Sequence, residues 1–444
     1  MSQHRGVARS LALYDRARGL IPGGTHLFGR RAELGAWGAM PIFAERHAGG
    51  RFWDVDGHEY VDLLMGAGAI ILGHAYPPVV EAVQRQAALG TGLTINHPLE
   101  VELAELLTEV IPCAERVRFC KGGGEADAIA IRIARAATGR DKVAFCGYHG
   151  WHDWYIAANL ADDTTLNAHL MPGIEPRGVP KGLTGTAIPF AYNNLDSLRA
   201  VLDANDGQIA AIIMEACRSF VPEPGFLEGV RELASARGIV LIFDEVVTGF
   251  RVALGGAQEL YGVTPDLATY AKTLSNGFAL GAVVGRREVM ECAADSFISS
   301  VYWAEATGLA AGLASVRAMR EVDAAGQVRR RGEAFMAALR QIIADSTVPA
   351  ECFGLPPFPF VLFRHATPET NLELSTLYMQ EMAQRGIFAI GVNYFCVDHT
   401  DADLDQVLTA ARETFGVLAQ ALDSGDVKSF LECPVKQSGF RRLV

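Results

Sequence analysis

Two residues of this chain are suited to carbonyl chemistry together. Lys272, one of only six lysines in 444 residues, ends the stretch Asp266-Leu-Ala-Thr-Tyr-Ala-Lys272, and Asp244 closes an apolar β-type run upstream of it. A lysine that gives up its proton attacks a carbonyl and forms a reversible imine. A carboxylate facing a pyridine nitrogen keeps that nitrogen protonated, and the pyridinium withdraws electrons from a carbanion far better than a neutral ring. These are the two parts that pyridoxal 5'-phosphate requires of a protein, and that cofactor is the expectation.

The surrounding residues fit this reading. Ile239-Val-Leu-Ile-Phe-Asp244-Glu245-Val246 is a nearly continuous apolar run, typical of a strand buried on both faces. Strand alternation puts Asp244 and Val246 on one face, the acid toward the ring nitrogen and Val246 against the ring. Lys272 precedes Ser275-Asn276-Gly277, a turn expected to leave its amine at the ligand edge of the sheet, where burial and a cationic neighbour lower its pKa. Gly122, Gly123 and Gly124 lie between a strand and a helix, a place where backbone N–H groups can approach a phosphate. The run is not a dinucleotide fingerprint, because Asp127 stands where the third glycine belongs, which disfavours a nicotinamide-dependent oxidoreductase. Tyr148-His149-Gly150-Trp151-His152-Asp153 follows the strand 142–146, where an aromatic ring could stack on the other ring face. His149 and His152 lack a third ligand for zinc and read as core or surface histidines; no metal is expected.

These residues need a scaffold. From about residue 115 strands and helices alternate: strands 116–120, 142–146, 209–214, 239–243, 267–271 and 282–285, with helices over 125–138, 226–237 and 256–262. The pattern predicts an α/β fold, a mostly parallel sheet covered by helices on both faces, with ligands at the carboxyl ends of the strands. Before it come a helix over 9–21, small antiparallel strands at 41–44, 51–55 and 60–64, and helices starting at Pro77-Pro78 and His97-Pro98. A helical stretch over 306–345, broken near Gly326, begins a smaller C-terminal α+β part. The expected organisation is an arm and small-domain segment at 1–65, a large cofactor-binding domain at 66–305 and a C-terminal small domain at 306–444.

Composition excludes other classes. A net charge of −12 disfavours nucleic acid and anionic membrane as partners, since both need clustered cations. No apolar run approaches a membrane span, and the N-terminus lacks an uninterrupted apolar core for secretion, so a cytoplasmic protein is expected. Eight scattered cysteines without a C-x-x-C pair read as reduced, mostly buried thiols.

With these residues placed, the chain resembles the class III pyridoxal phosphate aminotransferases, in the branch similar to glutamate-1-semialdehyde aminomutase. The resemblance rests on Pro22-Gly-Gly-Thr-His-Leu-Phe-Gly-Arg30, Trp53-Asp-Val-Asp-Gly57, Leu72-Gly-His-Ala-Tyr-Pro77, Tyr148 to Asp153, Phe243-Asp-Glu-Val-Val-Thr-Gly-Phe-Arg251, Ala271-Lys272 and the ending Phe440-Arg-Arg-Leu443. It implies a homodimer with two active sites near the subunit interface, and the seven-stranded-type sheet of the aspartate aminotransferase-like fold. It assigns Lys272 to the imine, Asp244 to the pyridine nitrogen, Val246 and Tyr148 to the ring faces, and Gly123 and Gly124 to the phosphate cup. It also places Glu215 near the cofactor and gives Arg30 a substrate carboxylate, which a guanidinium can hold through two parallel hydrogen bonds.

The chain departs from that pattern in three places. Gly122-Gly123-Gly124 stands where family members usually carry Ser/Asn-Gly-Thr/Ser, Val301 where a threonine reaches the neighbouring subunit's phosphate, and Glu215-Ala216 where Glu-Pro is common. Ser299 and Ser300 are candidate replacements for the hydroxyls, and weaker cofactor retention is expected.

The leading expectation is transfer of an amino group from an amino-acid donor, glutamate held by Arg30, to a keto or aldehyde acceptor. Alternatives within the cofactor class are an aminomutase, a racemase or a decarboxylase; outside it, a non-catalytic protein on the same fold. The acceptor is not legible in the residues.

Overall fold

The computed structural model describes residues 5–440, so Arg441, Arg442 and Leu443 of the C-terminal motif lie outside the described residues. The chain divides into two compact units, one running to Tyr76 and resuming at Gln327, the other Pro77–Gly326.

The second unit is built on a seven-stranded sheet. Its strands are β1 (Arg116–Cys120), β2 (Lys142–Cys146), β3 (Ala187–Pro189), β4 (Ile209–Met214), β5 (Val240–Asp244), β6 (Leu267–Tyr270) and β7 (Gly281–Gly285), in spatial order β1-β7-β6-β5-β4-β2-β3. Only β7 runs antiparallel, pairing with both β1 and β6. Every residue of β4, β5, β6 and β7 is buried, which is why these strands read as unbroken apolar runs. Helix Gly123–Thr138 lays Ala126, Ile129, Ala130, Ile133 and Ala134 into the core formed with β2, β4 and β5.

Register aligns the strand ends. Cys146 sits opposite Met214, Met214 opposite Phe243, and Asp244 opposite Thr269. The residues that follow β2, β4, β5 and β6 therefore emerge along one carboxyl edge of the sheet.

Helix Ala306–Glu321 also belongs to this unit; its carboxylate cap, Glu305, accepts N–H bonds from Thr307 at 2.8 Å and Gly308 at 3.1 Å. The unit boundaries thus fall at 76/77 and 326/327, whereas the residue pattern suggested 65/66 and 305/306. The helical stretch breaks at Val322-Asp323 rather than at Gly326. Asp323 takes a positive φ of 49°, and its Oδ1 accepts the Gly326 N–H at 3.2 Å, so a side-chain cap starts the next helix, Ala324–Ala344.

The first unit is a small α+β assembly. Strands Ala44–Ala48, Arg51–Asp54 and Glu59–Asp62 form an antiparallel meander, and Ile387–Phe388 adds in parallel to the last of them. The first strand starts later than expected because the N–H groups of Ile42 and Phe43 turn to the Ser10 hydroxyl, at 3.4 and 3.3 Å. A hairpin of Ala350–Phe353 with Phe360–Phe363 and helices Ala8–Leu20, Pro368–Gln384 and Asp401–Asp423 complete it.

Candidate active site

Asp244 ends β5 and Glu245 follows it, and by alternation the two face opposite ways. Glu245 turns to helix Ala257–Tyr261, accepting N–H bonds from Ala257 at 2.9 Å and Gln258 at 3.1 Å; burial raises its pKa to about 7. Asp244 turns to the sheet edge. Its Oδ1 accepts the Val246 N–H at 3.0 Å and its Oδ2 lies 2.8 Å from His149 Nδ1, with both side chains buried. His149 Nε2 faces the Cys146 carbonyl at 3.2 Å. A carbonyl only accepts, so Nε2 holds a proton and a second proton lies between Nδ1 and Asp244.

Lys272 follows β6 with φ 46°, in the left-handed region that a side chain rarely adopts. The Thr273 hydroxyl holds this turn by donating to the Gly249 carbonyl at 2.7 Å. Burial first, then the Arg218 guanidinium, lower the Lys272 amine from 10.5 to about 8, while Asp244 and Glu215 pull the other way. About a tenth of the amine is therefore neutral at pH 7, the form a nucleophile at a carbonyl requires.

Tyr148 and Glu215 stand together. Glu215 Oε2 accepts the Tyr148 N–H at 3.1 Å, and the same carboxylate pairs with Arg218 Nη1 at 3.2 Å. Tyr148 packs edge-on against Tyr155, with ring centroids 6.2 Å apart, and burial raises its phenol.

The glycine turn caps helix Gly123–Thr138, which starts within the run rather than at Glu125. Gly122 is its N-cap, with no side chain satisfying the first N–H groups. A Cβ on Gly123 would stand 2.7 Å from Val246 Cγ1, so the turn lies directly against Val246. A Cβ on Gly124 would stand 3.2 Å from His152 Nδ1, a buried atom with no hydrogen-bond partner. A side chain at 124 would thus press against this imidazole, which would have to give by a few tenths of an ångström. Free N–H groups on a sixteen-residue helix and an orphaned ring nitrogen fit an anion such as a phosphate.

Of the residues singled out from sequence, Asp244, Lys272, Tyr148, Glu215, Val246 and the three glycines gather on this edge. Ser300 is exposed, at the start of the turn Val301–Ala304, whose Trp303 indole donates to Glu125 at 2.9 Å. Arg30 ends the short turn Phe28–Arg30 in the first unit. Sequence reasoning left His149 as an ordinary histidine and gave Arg218 and Asp127 no role. His149 carried a usable signal, lying three residues beyond the end of β2 on the same edge as Asp244.

Comparison with known proteins agrees. The family model described as aminotransferase class-III matches residues 35–388. The 3-aminobutyryl-CoA aminotransferase of Cloacimonas acidaminovorans is 35% identical over 95% of this chain and 100% of its own. The glutamate-1-semialdehyde 2,1-aminomutase of Roseiflexus castenholzii is 36% identical over 94% of this chain and 99% of its own. A solved transaminase with pyridoxal phosphate bound superposes with a TM-score of 0.83 at 27% identity, covering 93% of this chain and 98% of that one. With the match spanning both units and a lysine, an acid and an open helix N-terminus on one sheet edge, the chain belongs to the class III aminotransferases and is a pyridoxal phosphate-dependent enzyme.

Proposed function

We propose that this protein moves an amino group from glutamate, or a closely related amino-acid donor, to a small keto or aldehyde acceptor, with Lys272 as the reacting amine and Asp244 at the ring nitrogen. The observation that carries this reading is the Lys272 amine, lowered to about 8 among Arg218, Asp244 and Glu215. Bound there, the cofactor supplies an aldehyde for imine exchange and a ring that accepts electrons from the substrate carbon.

The protein's own residues divide the remaining work. The Gly122, Gly123 and Gly124 turn and His152 hold the phosphate, with Ser300 as a further hydroxyl; Val246 and Tyr148 flank the ring. Glu215 fixes the backbone that presents Tyr148. The Lys272 Nζ, once released from its imine, would be the group that takes up the substrate α-proton and hands it on. Arg30 anchors the donor carboxylate, a role that rests on its match within Pro22–Arg30.

Incubating the loaded enzyme with amino donors and following keto-acid release tests this. Glutamate is expected to release its keto acid in a single half-reaction, and Arg30→Ala to raise KM roughly tenfold with a smaller change in kcat. Release from no donor would contradict amino transfer. It would instead favour a shift of nitrogen within one molecule, the second reading supported by the 36% identical aminomutase.

Two further expectations arise from the site. The rate at which cofactor-free protein captures pyridoxal phosphate should rise about tenfold per pH unit up to about 8 and then level, following the neutral Lys272 amine. A flat profile would contradict Lys272 as the capturing group. Gly123→Ala should weaken cofactor binding about tenfold, because displacing Val246 costs about 1–3 kcal/mol of overpacking. Equilibrium titration of cofactor absorbance measures it, and unaltered affinity would count against the contact.

The enzyme is further proposed to act as a homodimer in the cytoplasm. Phe297, Val301 and Tyr302 are strongly exposed within six residues of chain, which supports self-association. Eight free cysteines suit a reducing compartment, and no described helix is long and apolar enough to cross a membrane.

A further inference from the structure

Asp127 is a buried ionisable group with no task in the scheme above. It lies in the second turn of helix Gly123–Thr138, is 1% exposed, and accepts the Thr269 hydroxyl at 2.7 Å. Ligating atoms of Asp127, His149 and Asp244 all lie within 4.8 Å of one another. The charged groups facing it are Asp244 at the end of β5, His149 beyond β2, Glu215 beyond β4 and Lys272 beyond β6.

The proton count constrains this cluster. His149 and Asp244 share two protons, one pinned on Nε2 by the Cys146 carbonyl and one between Nδ1 and Oδ2, so the pair is neutral overall. An ionised Asp127 would add a negative charge beside Glu215, with one hydroxyl to solvate it and Lys272 as the one cation facing it, an unfavourable state in a buried site. Burial first, and Asp244 second, push the Asp127 carboxyl well above the ordinary carboxylate range. A ring nitrogen protonated beside Asp244 brings the positive charge that would balance an ionised Asp127.

We propose that Asp127 is a second counter-ion of the cofactor's ring nitrogen, holding a proton in the cofactor-free protein and ionising when the protonated ring lies against Asp244. This deepens the reading of Asp244 and rests on it. The O–H bond broken at Asp127 is matched by the N–H bond formed at the ring, so the buried cluster accepts the cofactor without changing its total charge. Asp127 is accordingly a positioning residue for charge: it keeps the ring cationic without touching the substrate.

The test uses the loaded enzyme and the pH midpoint of the absorbance of its lysine-bound cofactor. An ionised Asp127 stabilises the protonated form, so D127N, which keeps the shape and the bond from Thr269, should lower the midpoint by about one pH unit. T269V, which removes the hydroxyl that solvates the ionised carboxylate, should lower it by a smaller amount in the same direction. A second readout needs no cofactor. A carboxyl with raised pKa contributes stability that is fully present below its unfolded value and is lost as pH rises, so the melting temperature of cofactor-free wild type should fall relative to D127N as pH rises above the ordinary carboxylate value of 3.8.

An unchanged midpoint in folded D127N would overturn the proposal while leaving Lys272 and Asp244 in place. Should D127N not fold, an unchanged midpoint in T269V would overturn it equally. Absence of lysine-bound absorbance in the wild type would overturn the underlying reading, and this one with it.

Discussion

Lys272→Ala is expected to lower turnover by roughly 10⁴-fold or more and to remove the absorbance of lysine-bound cofactor, because one side chain serves as both the imine-forming amine and the proton carrier. The fold should survive. The turn at 272 is held by Thr273 on the Gly249 carbonyl, and alanine is no more strained at a φ of 46° than lysine. Lys272→Arg should be as inactive as alanine, since a guanidinium keeps the charge but offers no neutral amine. Cofactor is expected to remain measurably bound to both variants through the helix N-terminus and the ring contacts. Turnover within tenfold of wild type in either variant, measured on protein with native circular dichroism, would refute the assignment.

The second large effect is expected at Asp244, and it has two parts that separate. Asp244→Asn removes the charge that keeps the ring nitrogen protonated and should reduce kcat on the order of 10²- to 10³-fold. Asp244→Ala should also unfold more readily, because it strands a buried imidazole whose other nitrogen is fixed on the Cys146 carbonyl. Breaking a buried pair in this way costs about 3–5 kcal/mol. Denaturant unfolding of the cofactor-free variants measures the stability part, and single-turnover absorbance measures the chemical part. If His149→Phe is added, the stability loss in Asp244→Ala should shrink, since the stranded partner is gone. A fully additive double variant would contradict coupling between the two side chains.

How much of this was legible in the residues depends on the distance over which each feature is decided. Strands β2 and β4 fell where their apolar runs begin and end, because strands buried on both faces have no polar alternation to blur them; the edge strand β1, Arg-Val-Arg-Phe-Cys and only partly buried, also fell at its expected bounds. The carboxyl edge carrying Asp244, Lys272, Glu215 and Tyr148 follows from those strands and from their parallel direction. β3 was not legible: it is three residues long, contains Pro189 and sits at the edge of the sheet, where little pairing is needed to define it. Nor was the reversal of β7, since a fully buried strand has the same composition in either direction.

The same distinction separates the site residues. Lys272 and Asp244 announce themselves through local flanks, whereas His149 and Asp127 acquire their meaning from partners 95 and 142 residues away. Those pairings are set by strand order, which no local pattern encodes. The hydroxyl expected at 124 is a further case. The sequence indicates only that it is missing, while the structure sets the unpartnered His152 Nδ1 close against position 124.

The claim on which the account rests is tested most directly by reducing the pyridoxal phosphate-loaded protein with borohydride, digesting it and locating the modified lysine by mass spectrometry. The account predicts one pyridoxyl group per chain, on Lys272 and on none of the other five lysines; reduction that labels a different lysine, or leaves Lys272 unmodified in protein saturated with the cofactor, would contradict it.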